Sequence, residues 1–254
     1  MNPRRSTILM YHSLDDTGSA ISIAPDLFRA QMSWLAGTSA RVVPLSEIRR
    51  TPGAVSLTFD DGFCNFYEHA LPVLTRHGFP ATVFVVSGRP GGWNDWPQPV
   101  AGIPRLELMS WSQIEAAASA GVTLGAHTAT HPRISALGER ALERELAGCR
   151  AALEDRTGRP ADTFAYPYGD VSPGARRAVG RWFRLACGTR LNFVSPDSDA
   201  LELPRIDVYY LRDRRWFEAL GHPDGAAYIA ARRWIREMRP RRNAGTWKPV
   251  CYGG

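Results

Sequence analysis

The chain has 254 residues, of which 44% are hydrophobic and 22% are charged. This composition is typical of a chain that buries a sizeable core, so it excludes a disordered, collagen-like or coiled-coil protein. No apolar run approaches the roughly 20 residues that a membrane-spanning helix needs, and the short apolar stretch near the start lacks the features of a secretory signal peptide. We therefore expect a cytoplasmic protein without a transmembrane segment.

The formal net charge of +6 is concentrated towards the C-terminus. Residues 205–254 contain 11 Lys and Arg against 5 Asp and Glu, which accounts for the whole excess. A basic segment of this kind is either a solvated helix face or a surface that attracts nucleic acid, anionic lipid or acidic sugars. We favour the solvated face and leave peripheral membrane contact open. We expect no nucleic-acid partner, because no motif for one is present, and the oligomeric state is not indicated.

Runs rich in β-branched residues alternate along the chain with amphipathic stretches, separated by Gly or Pro. The predicted strands are residues 8–12, 55–59, 82–86, 122–126, 163–166, 185–188 and 206–209. The predicted helices are residues 25–35, 65–76, 111–120, 135–156, 173–183 and 226–239. This alternation is typical of an α/β fold with parallel strands and crossover helices. Seven strands without a composition break predict one closed or nearly closed barrel over residues 1–240, followed by a basic tail, 241–254.

Residues 89–109 interrupt the alternation with Gly91-Gly92, four prolines and the pair Trp93 and Trp96. This composition predicts a long loop, and long loops inside compact domains are often functional. We predict that the two tryptophans bind substrate by stacking on sugar faces. The alternative, that they close one end of the barrel by packing, is equally compatible with the sequence.

Two groups of acid–base and metal-binding side chains follow predicted strands. Asp60 and Asp61 end one strand, and His127 and His131 end another. Catalytic groups of (β/α) barrels gather at the C-terminal ends of the strands. Two histidines and one aspartate leave positions open for water on a divalent metal, and a second acid can act as a base. The pattern favours metal-assisted hydrolysis over a simple acidic turn and structural histidines.

A third group, Tyr166-Pro-Tyr-Gly169, follows another strand. Together with Thr58-Phe-Asp-Asp-Gly62 and His127-Thr-Ala-Thr-His131, and in this order, it resembles the polysaccharide deacetylases of carbohydrate esterase family four. The resemblance covers about residues 6–210 and is nearest the branch that acts on poly-N-acetylglucosamine and similar exopolysaccharides. It implies a deformed (β/α)7 TIM-like barrel. It also implies a metal-dependent hydrolase that removes acetyl groups from N-acetylated amino sugars, breaking a C–N bond that is not a peptide bond.

The resemblance also implies roles for individual residues. Asp61, His127 and His131 would be the metal ligands, and Asp60 would be the general base. The backbone N–H of Tyr168 would bind the substrate and stabilise the oxyanion. The metal would most commonly be Zn²⁺, with Co²⁺, Ni²⁺ or Fe²⁺ as alternatives for a His and carboxylate site.

The chain departs from the family pattern at two points. No arginine precedes the Pro-Tyr motif, and we predict that Arg205 takes its place beside Asp60, the alternative being an ion pair elsewhere on the barrel rim. The late Leu-x-His motif that supplies the general acid is also absent. We predict that His12 acts as the acid or supports it, ahead of His222, and water or no acid at all stays open.

Two other functions are compatible with these residues. One is a glycan O-acetyl esterase, which acetate release from O-acetylated substrates would reveal. The other is a non-catalytic carbohydrate-binding barrel that has kept the metal motifs and lost the acid. Tight saccharide binding without acetate release at any metal loading would indicate the second.

Overall fold

The computed structural model describes residues 5–238. The predicted basic tail, residues 241–254, and Arg239 at the end of the last predicted helix lie outside this range. Within it, none of the helices combines the length and the apolar composition that crossing a membrane requires.

Seven parallel strands close into one barrel. Two further short strands lie outside the barrel. In chain order all of these strands are β1 (Thr7–Tyr11), β2 (Ser13–Leu14), β3 (Ser22–Ile23), β4 (Val55–Phe59), β5 (Ala81–Val85), β6 (Thr123–Ala126), β7 (Thr163–Ala165), β8 (Leu185–Leu191) and β9 (Leu203–Asp207). The barrel order is β1-β4-β5-β6-β7-β8-β9, and the short strands β2 and β3 pair with each other. Closure occurs at β1, where Leu9 pairs with Leu57 on one side and with Ile206 on the other. The predicted single-domain barrel is confirmed.

Helices connect most of the barrel strands on the outside. They are α1 (Pro25–Ala36), α2 (Leu71–His77), α3 (Trp111–Ser119), α4 (Glu139–Thr157), α5 (Pro173–Trp182), α6 (Arg214–Glu218) and α7 (Pro223–Met238). Helix α4 illustrates why they form: it buries Leu142, Leu146, Cys149 and Leu153, a spacing that places all four on one helical face. Helix α3 begins with a capping box, in which Ser110 and Gln113 are bonded reciprocally.

The barrel is irregular where β6, β7 and β8 meet. A single residue pair, Ala126 with Phe164, joins β6 to β7. Strand β8 shifts register against β9 between Cys187 and Leu191. Pro204 of β9 lies at this shift, where a residue without an N–H costs no ladder hydrogen bond. This deformation is what the family resemblance implies.

Several predicted elements differ from the structure. Strand β8 continues to Leu191, β9 begins already at Leu203, α7 begins at Pro223, and Phe66–Ala70 of the predicted helix 65–76 form a π-helix. The last strand was predicted at 206–209, but β9 ends at Asp207 and residues Val208–Leu211 form a 3-10 turn. The carboxylate of Asp207 accepts the N–H of Tyr209 at 2.9 Å and caps this turn, which outweighs the strand propensity of the tyrosines. The helix predicted from 135 begins only at Glu139, because Gly138 is extended and separates it from a short 3-10 turn.

Candidate metal centre and catalytic site

The backbone adopts an unusual conformation wherever a motif residue leaves a strand. Over residues 5–238, the non-glycine residues with positive φ are Asp61 (73°), Thr128 (65°), His131 (60°) and Tyr168 (59°). A left-handed conformation of a residue with a Cβ costs about 1–2 kcal/mol, and such residues concentrate at functional sites. All four lie at the carboxyl ends of β4, β6 and β7, so the strain is confined to one place in the fold.

This conformation determines how neighbouring motif residues are placed. Strand β4 ends at Phe59, so Asp60 and Asp61 are separated by a left-handed kink rather than by the alternation of a strand. His127 and His131 are not brought together by a helical turn, because the intervening backbone is irregular. Their ring centroids nevertheless lie 4.9 Å apart.

Asp61, His127 and His131 present one ligand atom each to a common point. Asp61 Oδ1 lies 3.4 Å from His127 Nε2 and 3.2 Å from His131 Nε2. All three residues are buried, and their ligand atoms lie within 4.8 Å of one another. Asp61 Oδ1 has no hydrogen-bond partner among the described residues, although buried polar atoms almost always have one. Two imidazole nitrogens and one carboxylate oxygen form a donor set that suits zinc or a similar divalent metal.

The protonation states of this group also suit a metal. His127 Nδ1 lies 2.8 Å from the carbonyl oxygen of Ala165, which can only accept, so Nδ1 carries a proton and Nε2 is the atom that can bind a metal. Burial lowers the pKa of His127, but the facing carboxylates of Asp61 and Asp60 outweigh it and raise that pKa, so a cation at this point would compete with a proton on Nε2. Burial lowers the pKa of His131, which favours the neutral ring. Burial alone would raise the pKa of Asp61, but the two facing imidazoles outweigh it and hold that pKa well below its usual range.

Two residues that the sequence did not single out hold the loop between the histidines. Thr128 Oγ1 accepts the backbone N–H of His131 at 2.9 Å. Glu145, on α4, accepts the backbone N–H groups of Ala129 at 2.8 Å and Thr130 at 2.9 Å. Thr128 could have been noticed inside the histidine motif. Glu145 could not, because it is one of many charged residues on a long helix.

Asp60 is held by a buried arginine. Arg205 Nη1 and Nη2 donate to Asp60 Oδ1 and Oδ2 at 2.6 and 2.7 Å, a bidentate pair. Arg205 is 0% exposed, and its Nε donates to the carbonyl oxygen of Gly188 at 2.9 Å. Burial raises the pKa of Asp60, but the guanidinium outweighs it, so the net shift is downward. The contact that the sequence analysis expected between Arg205 and Asp60 is therefore present.

The two histidines considered as general acids lie at opposite ends of the barrel. His12 Nε2 lies 3.9 Å from Asp60 Oδ2, and its side chain is 19% exposed. His222 instead lines a cavity of about 540 Å³ together with Thr7 and Val55, which begin β1 and β4. Only His12 is within reach of the groups at the carboxyl ends.

Aromatic rings surround His131. Trp96 stacks on its imidazole with centroids 4.4 Å apart and planes 24° apart, and Tyr168 approaches edge-on at 4.6 Å. The hydroxyl of Tyr168 donates to the carbonyl oxygen of Gln98 at 2.9 Å. The structure thus brings Trp96 and Tyr168 to the candidate metal centre.

Trp93 lies in the same long loop but packs differently. Its ring is covered by the guanidinium of Arg105 at 4.0 Å, and its backbone pairs with Glu107. This packing braces the loop internally, and the substrate contact of Trp93 stays a prediction.

A family model for polysaccharide deacetylases matches residues 47–182. The chain belongs to the polysaccharide deacetylase family.

Individual relatives agree with this assignment. The chain is 23% identical over 215 residues to YxkH of Bacillus subtilis (strain 168), which is named as a putative polysaccharide deacetylase. The match covers 81% of this chain and 72% of that protein. It is 24% identical over 219 residues to the poly-beta-1,6-N-acetyl-D-glucosamine N-deacetylase of Staphylococcus aureus (strain MSSA476), covering 77% and 72%. The structure of IcaB from Ammonifex degensii superposes with a TM-score of 0.70 at 26% identity, covering 90% of this chain and 96% of that one.

Proposed function

We propose that this protein is a metal-dependent hydrolase that removes acetyl groups from the N-acetylated amino sugars of a GlcNAc-type saccharide. The observation that carries the proposal is the convergence of Asp61, His127 and His131 beside an Asp60 that is fixed by Arg205. The similarity to a poly-N-acetylglucosamine N-deacetylase supports the class of substrate.

The three convergent residues would hold the metal. His127 Nε2, His131 Nε2 and Asp61 Oδ1 are the atoms that would bind it, and zinc fits this set most simply, with cobalt, nickel or iron as alternatives. When bound, the metal would supply Lewis-acid activation of water and of the acetyl carbonyl. Asp60 would not be one of its ligands: it is not part of the convergent group, and its carboxylate faces Arg205 instead.

Asp60 would accept the proton of the attacking water. Its lowered pKa keeps it ionised at neutral pH, so it is in the form that a base requires. The bidentate contact with Arg205 fixes the plane of the carboxylate, and the remaining lone pairs are available to the water. The backbone N–H of Tyr168, placed by the left-handed conformation of that residue, would stabilise the oxyanion.

His12 would donate the proton that the leaving amine needs. An amide is cleaved slowly unless its nitrogen is protonated as the C–N bond breaks, and histidine suits this role at neutral pH. The position of His12 beside Asp60 supports the assignment. The saccharide would lie against Tyr168 and Trp96, with Trp93 further along the same loop.

An acetate-release assay tests the function directly. We expect the zinc-loaded protein to release acetate from oligomers of β-1,6-linked N-acetylglucosamine and to lose this activity after chelation. A matched O-acetylated glycan without N-acetyl groups serves as the control. Faster release from the control would indicate an O-acetyl esterase. Saccharide binding without acetate release at any metal loading would indicate a non-catalytic barrel, and either result would contradict the proposal.

A further inference from the structure

The two histidines of the candidate metal centre are held in different ways. His127 Nδ1 lies 2.8 Å from the carbonyl oxygen of Ala165, the usual arrangement for a metal-binding histidine. His131 Nδ1 is also buried, yet it has no hydrogen-bond partner in the described part of the chain. A histidine without such a partner is free to rotate about its side-chain bonds unless something else fixes the ring.

Aromatic packing fixes the ring of His131 instead. Trp96 stacks on one face at 4.4 Å and nearly parallel, while Tyr168 meets the ring at 4.6 Å and 70°. Stacking of this geometry restricts the tilt of a ring in a way that a single contact does not. Gln98, two residues after Trp96, accepts the Tyr168 hydroxyl through its backbone oxygen, so one segment supports both rings.

Trp96 is itself well braced, although it lies in a loop of 21 residues, 89–109. The backbone N–H of Trp96 donates to the carbonyl oxygen of Asn94 at 2.9 Å. The buried Asn94 side chain donates to the carbonyl oxygen of Pro104 at 3.0 Å and accepts the N–H of Leu106 at 2.8 Å. These bonds tie the two halves of the loop together and fix the backbone that carries the indole.

We propose that Trp96 is a positioning residue of the metal centre: its indole orients His131 in place of the missing hydrogen-bond acceptor. The inference rests on the proposed metal site formed by Asp61, His127 and His131. It makes the long loop a part of that site, in addition to any contact the loop makes with a saccharide.

Metal affinity measures this role independently of turnover. Removal of the partner that orients a metal-binding histidine typically weakens binding by about 10–100-fold. We expect Trp96→Ala to raise the dissociation constant for Zn²⁺ by about that factor, and Trp96→Phe, which keeps a stacked ring, to restore most of the affinity. Trp93→Ala is the matched control, because it removes a tryptophan from the same loop that packs on Arg105 rather than on His131. It should bind zinc as the wild type does.

Fluorescence gives a second signature of the contact. Co²⁺ quenches an indole that lies next to it, so its addition should quench the wild type. We expect Trp96→Phe to lose a large part of this quenching and Trp93→Phe to retain it. Thermal unfolding of each metal-free variant establishes that it is folded. If Trp96→Ala is not folded, Trp96→Leu, which fills more of the space without an aromatic face, carries the affinity test.

The outcomes separate this inference from the proposed function. A wild type that binds no zinc contradicts the metal site itself. Stoichiometric zinc binding by the wild type, with unchanged affinity in Trp96→Ala, overturns the role of Trp96 and leaves the metal site intact. An equal loss of affinity in Trp93→Ala overturns it as well, because the effect would then belong to the packing of the whole loop.

Discussion

Asp60 and Asp61 are neighbours in the chain, are both buried, and are neutralised in opposite ways. Both oxygens of Asp60 accept hydrogen bonds from Arg205, so its charge is balanced within the fold. Asp61 Oδ1 faces two imidazole nitrogens at 3.2 and 3.4 Å and has no hydrogen-bond partner in residues 5–238. A buried carboxylate is costly unless it is paired or binds a metal. This difference supports the proposed roles, which are proton transfer for Asp60 and metal binding for Asp61.

Removal of a metal ligand should have the largest effect. We expect His127→Ala to lose nearly all acetate release and to bind zinc more weakly by more than the roughly 10–100-fold that loss of an outer contact costs. Isothermal titration with Zn²⁺ and the acetate assay measure the two effects. His222→Ala is the control, since that residue lies at the amino end of the barrel. Zinc binding of wild-type strength in His127→Ala would refute the ligand assignment.

Exchange of each carboxylate for an amide separates the two neighbours. Asp60→Asn should keep the metal and lose about 10³-fold or more in turnover, because an amide cannot accept a proton from water. Asp61→Asn should lose the metal instead. Metal content by atomic absorption, measured beside acetate release, distinguishes the two variants. If Asp60→Asn loses its metal, Asp60 is a ligand and the comparison fails.

If His12 is the general acid, the loss of rate in His12→Ala depends on whether the leaving group needs a proton. His12→Ala should reduce deacetylation of N-acetylglucosamine oligomers by about 10²-fold, because the amine departs without a donated proton. Hydrolysis of 4-nitrophenyl acetate should fall far less, since nitrophenolate leaves unprotonated. Equal losses on both substrates would exclude His12 as the acid, and a normal rate on both would leave the proton to water.

Replacement of Arg205 should slow turnover most at acid pH and least at alkaline pH. In Arg205→Met the burial that raises the pKa of Asp60 is opposed only by the smaller effects of His127 and His12, so that pKa rises. Because Asp60 acts when ionised, the acid limb of the pH profile of kcat/KM should move to higher pH. Breaking one partner of a buried pair should also lower the free energy of unfolding by about 3–5 kcal/mol. An unchanged acid limb in the folded variant would show that Arg205 does not tune Asp60.

The sequence predicts the parts of the site that depend on chain order. The ends of β4 and β6 could be located from their apolar runs, and this places Asp60, Asp61, His127 and His131 at one end of the barrel. The contact between Arg205 and Asp60 follows from the same reasoning about a late strand. The predicted end of the last strand, residue 209, lies two residues beyond the end of β9. The cause is local, because the Asp207 side chain caps the turn that follows.

Features set by backbone kinks and loop paths could not be predicted in this way. Nothing in the composition of residues 89–109 distinguishes Trp96, which stacks on His131, from Trp93, which packs under Arg105. A positive φ is uncommon for any residue with a Cβ, and although aspartate adopts it more readily than most, nothing in the sequence marks Asp61 as the residue that does so. The role of Glu145 likewise depends on the approach of α4 to the histidine loop.

The proposed function depends on one divalent metal bound by Asp61, His127 and His131. Titration of Zn²⁺ into chelated protein, with bound metal and acetate release from N-acetylglucosamine oligomers followed together, measures this dependence. We expect both to rise in parallel and to level off at one metal per chain, and neither to rise in Asp61→Asn. Full turnover by the chelated wild type, or stoichiometric zinc retained by Asp61→Asn, would exclude this metal site.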